Sequence, residues 1–137
     1  MKNCLFCKIG KKEIDSKIIY EDNLVLAFLD ANPLTKGHTL IIPKNHADNI
    51  LELADKDLIA VFRAAKLVAD KLNESLEPSG FTIGVNHGKI SGQSIDHFHL
   101  HLVPRFQGDG GGSLHSVVQS PPKETLDEVW RQITTNN

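Results

Sequence analysis

"DHFHLHLVPR", residues 96–105, places His97, His99 and His101 in alternation with Phe98, Leu100 and Leu102. A β-strand points successive side chains to opposite faces. Read as a strand, the segment has one imidazole face and one hydrocarbon face. The hydrocarbon face is core. The imidazole face needs a reason, because 7 histidines in 137 residues seldom fall three in strict alternation. The bland explanation is a solvated sheet face, where single histidines commonly sit. One metal held by all three rings conflicts with strand geometry. Same-face neighbours lie ~6.6–7 Å apart and the outer pair ~13 Å apart, whereas zinc holds nitrogen at ~2.1 Å in a tetrahedron. A barrel hydrolase that opens with His-x-His also needs ~250 residues. Catalysis with a separate role for each ring fits best. A neutral imidazole is a nucleophile near pH 7, and a neighbouring ring can pass a proton. Attack on phosphorus gives a phosphoramidate that water then resolves.

Around this segment the chain reads as strands, a long helix, then strands. "KIIYEDNLVLAFLD" gives a short strand at Ile18–Tyr20, a turn at "EDN", and a second strand over Leu24–Asp30. "ANPLTKG" is a loop, and "HTLIIP", 38–43, is a third strand closed by Pro43. "ADNILELAD" is a further short strand or a turn. From Asp55 to Leu76 the period changes: Leu58, Phe62, Ala65, Ala69, Leu72 and Leu76 mark one helical face, with Asp55 as N-cap and "EPSG" as the stop. "GFTIGVNHG" is a strand with Phe81, Ile83 and Val85 on one side. A final amphipathic helix is expected over Lys123–Thr134, with Leu126, Val129, Trp130 and Ile133 on its stripe. Few crossovers are available for parallel pairing, so the class is α+β with an antiparallel sheet.

One domain over residues 1–137 is the default for this length, with a core at about 4–106 and a C-terminal extension at about 107–137. The formal net charge of −2 and the pI of 6.4 argue against nucleic-acid and anionic-membrane partners. They leave room for a small anion held by local donors. The best apolar run, "LVLAFL" at 24–29, is far short of the ~20 residues of a membrane span. "MKNCLFCKIG" lacks a signal-peptide core, so a cytoplasmic setting with reduced cysteines is expected. "CLFC", 4–7, has Cys-x-x-Cys spacing. Redox chemistry of the thioredoxin type would need a preceding strand, and a zinc site would need two more ligands. Unmetallated structural thiols are the remaining alternative.

"HFHLHLV" resembles the signature of the histidine triad (HIT) family of nucleotide hydrolases and transferases. "EDNLVLAFLDANPLTKGHTLIIPKNH" is similar to that family's first half and "GFTIGVNHGKISGQSIDHFHLHLVPR" to its second. The small bacterial Hit and Hint-like members are the nearest branch. The resemblance implies a HIT-like fold, with about five antiparallel strands, a long central helix and a C-terminal helix. It implies cleavage at the α-phosphate of nucleoside phosphoramidates or dinucleoside polyphosphates, acting as a purine nucleoside phosphoramidase or a dinucleoside polyphosphate hydrolase. A nucleotide-binding regulatory module with little turnover is the alternative.

By the same resemblance, His99 is the nucleophile that carries the nucleotidyl group. His101 binds phosphate and assists proton transfer, and His38 lies beside them. Asn86, Gln93 and Ser94 match polar positions near the phosphate or leaving group. Gly92 would let backbone N–H groups approach an oxyanion. Asp30 matches the acceptor of the ribose hydroxyls, and Leu5, Phe6, Ile9 and Phe28 match the walls of a purine pocket. Cys4, Cys7, His46 and His97 match a structural Zn2+ site of some members. No organic cofactor is implied, and a homodimer is. In Hint-like relatives the C-terminus of one subunit approaches the other's active site. Here "FQGDGGGSLHSVVQSPPKETLDEVWRQITTNN", which contains His115, departs from the short ending of that branch.

Overall fold

A computed structural model describes residues 3–135. The elements in chain order are α1 (Leu5–Gly10), β1 (Ile18–Glu21), β2 (Val25–Leu29), β3 (Thr39–Pro43), α2 (Asp55–Leu76), β4 (Gly80–Gly84), β5 (Leu100–Arg105) and α3 (Leu126–Thr135). Single 3-10 turns occupy Lys89–Ser91 and Leu114–Ser116. The five strands form one antiparallel sheet in the order β1-β2-β3-β5-β4. This is the expected α+β architecture, with a central helix and a C-terminal helix.

The sheet is covered on both faces at its centre. Val25, Ala27, Ile41, Leu100 and Leu102 pack against Val61, Ala64, Ala65, Val68 and Leu72 of α2. Leu26, Phe28, Leu40 and Ile42 pack on the opposite face against Phe6 and Ile9 of α1. That double burial explains why β2 and β3 are continuous apolar runs rather than alternating ones. Directly opposed residues of an antiparallel pair share a face. Ile41 opposes Leu100, and Leu40 opposes His101. The hydrocarbon side of β5 therefore meets α2, and its histidine side meets α1.

Several local expectations shift. His97 and His99 precede β5, which starts at Leu100. The Phe98 N–H has left the ladder and bonds the Ala47 carbonyl at 2.7 Å. Its counterpart β3 ends at Pro43, which has no N–H to offer. Asp55 is the first helical residue rather than the cap. Ala54 holds the N-cap position with no side-chain bond. The buried face of α2 is set by Val61, Ala65, Val68 and Leu72, rotated from the expected stripe, and Phe62 is 48% exposed. Both phases satisfy a 3.6-residue period, and packing against the sheet selects one. "ADNILELAD" is turn, not strand. The last helix begins at Leu126 behind a capping box. There Thr125 Oγ1 accepts from the Glu128 N–H, and the Glu128 carboxylate accepts from the Thr125 N–H. Its stripe is uncovered: Leu126, Trp130 and Ile133 are all exposed. Among the described residues no helix is long and apolar enough to cross a membrane.

Gly37 delivers the chain into β3. Its φ is +89°, and a Cβ there would lie 2.5 Å from Leu76 Cδ1 and 3.3 Å from Pro104 Cγ. Both the left-handed backbone and the contact with the end of α2 require glycine. Gly37→Ala is expected to cost roughly 1–3 kcal/mol, from strain and overpacking. The check is the urea midpoint of the variant, which should fall with an unchanged slope.

Candidate active site

Two features of the fold converge on the α1 face of the sheet. The first is a cleft of about 790 Å³ whose lining includes Leu5, Phe6, Ile9, Phe28, Asp30, Ser94, His99 and His101. The four apolar residues expected as purine walls all line it. Phe6 stands edge-on to Phe28, with ring centroids 5.6 Å apart, and edge-on to His99 at 5.1 Å. Asp30 sits where β2 ends. Its Oδ1 accepts the Asn32 N–H at 2.8 Å, and its Oδ2 lies 3.6 Å from His38 Nε2. From Phe6 to His101 the cleft thus runs from hydrocarbon, past the Asp30 carboxylate, to imidazole, and Asp15 and Lys17 also line it.

The protons on the imidazoles follow from their backbone partners. His99 Nδ1 lies 2.7 Å from the His97 carbonyl oxygen. A carbonyl only accepts, so Nδ1 carries a hydrogen, and in the neutral ring Nε2 is the nitrogen with the lone pair. His38 Nδ1 receives the Leu34 N–H at 3.1 Å, so the ring proton is on Nε2. That Nε2 lies 3.0 Å from His101 Nδ1 and donates to it. His101 in turn keeps its own proton on Nε2. Burial, reinforced by His99 and His38, lowers the pKa of His101 to about 4. Burial lowers that of His38 as well, against the opposing pull of Asp30. Both rings are neutral near pH 7. A fixed lone pair and a fixed N–H thus occupy neighbouring rings, with centroids 5.1 Å apart. That arrangement can supply a nucleophile and a proton donor in one site.

The second feature is the group Cys4, Cys7, His46 and His97, whose ligand atoms all lie within 4.8 Å of one another. Cys4 Sγ is 3.3 Å from His97 Nδ1, Cys7 Sγ is 3.3 Å from His46 Nδ1, and Cys7 Sγ is 3.5 Å from His97 Nδ1. A tetrahedral zinc ion with ordinary Zn–N and Zn–S lengths separates nitrogen from sulfur by about 3.6 Å. The donor atoms are therefore already at ligand spacing. Their protonation also fits. His97 Nε2 donates to the Pro43 carbonyl at 2.8 Å, and His46 Nε2 donates to Asp48 Oδ1 at 2.7 Å. Both Nδ1 lone pairs then face the sulfurs, an outer-shell pattern typical of metal-binding histidines. Burial lowers the pKa of His97 to about 4, and burial, with Cys4 beside it, raises that of the Cys7 thiol. The buried Cys7 thiol and the half-buried Cys4 thiol can each donate to an Nδ1 lone pair, and as thiolates all four groups can serve a metal.

Asp30, His38 and His101 form another compact acidic and histidine group. Its chemistry is opposite. His38 uses the Nδ1 lone pair on Leu34 and the Nε2 proton on His101, so a metal there would need a doubly deprotonated ring. This group is a hydrogen-bond relay.

The remaining sequence-derived positions are distributed unevenly. Ser94 is exposed and lines the cleft. Gln93 is buried, and its side chain is spent inside the loop. Its Oε1 accepts the Gly88 N–H, and its Nε2 donates to the Asp48 and Ile95 carbonyls. Asn86 and Gly92 lie beside each other outside the cleft lining; Gly92 has φ +103° and closes the 3-10 turn. His115 pairs with Ser113 on the exposed C-terminal segment, away from the cleft lining. The sequence reading missed the Leu34 N–H, the Pro43 carbonyl and Asp48, which orient His38, His97 and His46. Asp48 had a readable signal, a carboxylate two residues after a proposed ligand. The two backbone groups had none.

Comparison with known proteins adds the lineage. A model described as HIT domain matches residues 11–108. An uncharacterized HIT-like protein of Methanocaldococcus jannaschii is 41% identical over 130 residues, covering 95% of this chain and 98% of that one. Adenosine 5'-monophosphoramidase hnt1 of Schizosaccharomyces pombe is 38% identical, with 75% and 74% covered. Adenylylsulfatase HINT3 of Arabidopsis thaliana is 36% identical, with 78% and 54% covered. The crystal structure of a HIT family protein from Bacillus anthracis superposes with a TM-score of 0.86 at 38% identity, covering 98% of this chain and 94% of that chain. A zinc-bound histidine triad family protein from Mycobacterium smegmatis superposes with a TM-score of 0.75 at 28% identity, with 99% of each chain covered. The alternating histidines, the fold that presents them and these relatives agree: the chain belongs to the HIT domain family.

Proposed function

We propose that the chain is a nucleotide hydrolase that cleaves at the α-phosphate of nucleoside phosphoramidates or dinucleoside polyphosphates through a nucleotidyl-His99 intermediate. The observation that carries this reading is the His99 Nε2 lone pair, fixed by the Nδ1–H bond to the His97 carbonyl and set in the cleft. The relatives named as a monophosphoramidase and an adenylylsulfatase support nucleotide hydrolysis in general. The purine lies between Phe6, Phe28, Leu5 and Ile9, and the ribose hydroxyls donate to Asp30. His99 Nε2 then attacks the α-phosphorus. The bond to the leaving group breaks, and the leaving group takes a proton from the site, with His101 as its source and Ser94 beside it. Water next attacks the phosphorus and gives up a proton to His101, restoring its Nε2–H, as the P–N bond to His99 breaks and a nucleoside monophosphate leaves. His38, anchored by the Leu34 N–H, keeps the His101 proton on the nitrogen that faces away from it. Gln93 acts in this reading as a loop staple, while Asn86 and Gly92 shape the turn before the triad.

Zinc is the metal that the Cys4, Cys7, His46 and His97 donor set fits. When bound it would close a four-ligand structural site and leave no open position for substrate. Only His97 joins that group to the triad segment. The cytoplasmic setting and a homodimer belong to the same proposal. Ile59, Phe62 and Leu67 of α2 and the stripe of α3 are exposed, and β4 is an edge strand.

Four outcomes test the reading. His99→Ala should lower kcat by about three orders of magnitude or more on adenosine 5'-phosphoramidate, as loss of a nucleophile does. Quenched wild-type enzyme should carry an AMP group on the peptide containing His99. Equal, slow release by wild type and variant would instead identify a binding module. Chelation should lower the thermal midpoint by several degrees while turnover at saturating substrate persists. A folded, metal-free protein with no turnover would make the metal catalytic.

The fourth outcome concerns pH. His97 and His101 stay neutral in the folded chain down to about pH 4, and His38 is lowered as well. In the unfolded chain a histidine takes a proton near pH 6.5. Between those values the unfolded state binds more protons, so stability falls as pH drops through this window and is fully present above it. Urea midpoints of the metal-free protein should therefore decline from about pH 6.5 to about pH 4. A flat profile there would count against neutral rings in the fold.

A further inference from the structure

The metal cluster and the nucleotide cleft share one short turn of chain. Cys4 is the N-cap of α1, and its Sγ accepts the Cys7 N–H at 3.4 Å. Leu5 and Phe6, between the two cysteines, line the nucleotide cleft, as does Ile9 one turn on. Phe6 also packs edge-on against the rings of both His97 and His99. The helix is 6 residues long. Isolated helices of that length do not persist, so its side-chain anchors hold it in place. Cys4 and Cys7 are free thiols, the first half-buried and the second buried. An adjoining open cleft of about 500 Å³, which shares Leu5, Ser94 and Ile95 with the first, is lined also by Cys4, His46, Asp48 and Asp96 and brings solvent to Cys4. Residues three apart in a helical turn have Cα atoms about 5 Å apart, inside the range that a disulfide spans.

We propose that Cys4 and Cys7 form a redox latch on the nucleotide cleft: a hydroperoxide converts them to a disulfide, expels the metal and weakens nucleotide binding by freeing α1. The metal part of this inference rests on the zinc reading above. The Cys4 thiolate attacks one peroxide oxygen, forming an S–O bond as the O–O bond breaks. The departing oxygen takes a proton and leaves as water or an alcohol. The Cys7 thiolate then attacks the Cys4 sulfur, forming the S–S bond as S–O breaks, and the hydroxide released takes a second proton. The two sulfurs lose two electrons and the peroxide gains them. A disulfide sulfur is a poor ligand, so a bound divalent ion would be left with only His46 and His97 to hold it and would be lost. Phe6 and Leu5 then lose the tie to His46 and His97, and only the core contacts of Phe6 and Ile9 still hold α1 against the nucleobase site. An exogenous dithiol reverses the oxidation.

The test titrates the reduced, zinc-loaded full chain with hydrogen peroxide. It follows released zinc with a chromophoric chelator, the loss of two hydrogens in the Cys4–Cys7 peptide by mass, and AMP affinity by calorimetry. Zinc release and disulfide formation should rise together, and the AMP Kd should rise about tenfold or more, the scale of one lost base–aromatic contact. Dithiothreitol plus zinc should restore it. Cys4→Ser and Cys7→Ser should show no peroxide response in AMP affinity. The latch is overturned if the disulfide forms and the AMP Kd stays within twofold, or if excess peroxide leaves both thiols intact or carries them to sulfinic acid. Metal-free protein separates this inference from the zinc reading. If no zinc binds, that reading fails, and the latch then stands or falls on whether the oxidised and reduced metal-free chains differ in AMP affinity.

Discussion

Antiparallel pairing of β5 with β3 places Leu40 opposite His101 and Ile41 opposite Leu100, and the arrangement of the site depends on that register. A slip of one residue would turn the imidazoles into α2 and leave Leu100 and Leu102 in the cleft. Phe98, Leu100 and Leu102, none more than 1% exposed, hold the register by filling the core against α2. The histidines are thus positioned by the hydrocarbon that alternates with them. The same face of the sheet receives α1, which brings the apolar walls and the two cysteines to the same edge of the triad.

Within that frame, backbone groups decide which nitrogen of each ring carries a proton. The His97 carbonyl leaves His99 with a free Nε2, the Pro43 carbonyl leaves His97 with a free Nδ1, and the Leu34 amide forces His38 to donate to His101. Asp48 does the corresponding work for His46. Five similar side chains thereby acquire different chemistry. Two turn lone pairs toward cysteine sulfur, one turns a lone pair into the cleft, and two form a relay. The contrast between the metal-ready group and the Asp30–His38–His101 relay lies entirely in these bonds, since both are compact groups of possible ligands.

The sequence carried the strand content, the span of the long helix and the strict alternation of 97–102, because each depends on local periodicity. The helix phase was legible to within part of a turn. Ala65 and Leu72 are buried and Leu58, Ala69 and Leu76 pack at the margin of the core, whereas Val61, Ala64 and Val68 form its centre and Phe62 is exposed, because the sheet decides which side of the stripe is covered. Pairing of Cys4 and Cys7 with His46 and His97 was legible only through family resemblance, since nothing local joins residues so far apart in the chain. Gln93 reads as a polar loop residue available to a ligand; the fold commits its amide to three backbone partners. His97 and His99 read as strand residues, yet the ladder begins at Leu100 because β3 has already ended at Pro43.

By itself the sequence determined which side chains would face together along 97–102, because side-chain direction in an extended chain follows from covalent geometry. It also determined that one side of that segment would be core. Only the tertiary structure decided what each imidazole can do. A histidine's usable nitrogen is set by the partner of the other one: Pro43 reaches His97 across 54 residues of sequence, while Leu34 and Asp48, four and two residues from His38 and His46, meet those rings only in the loop conformations that the folded sheet imposes.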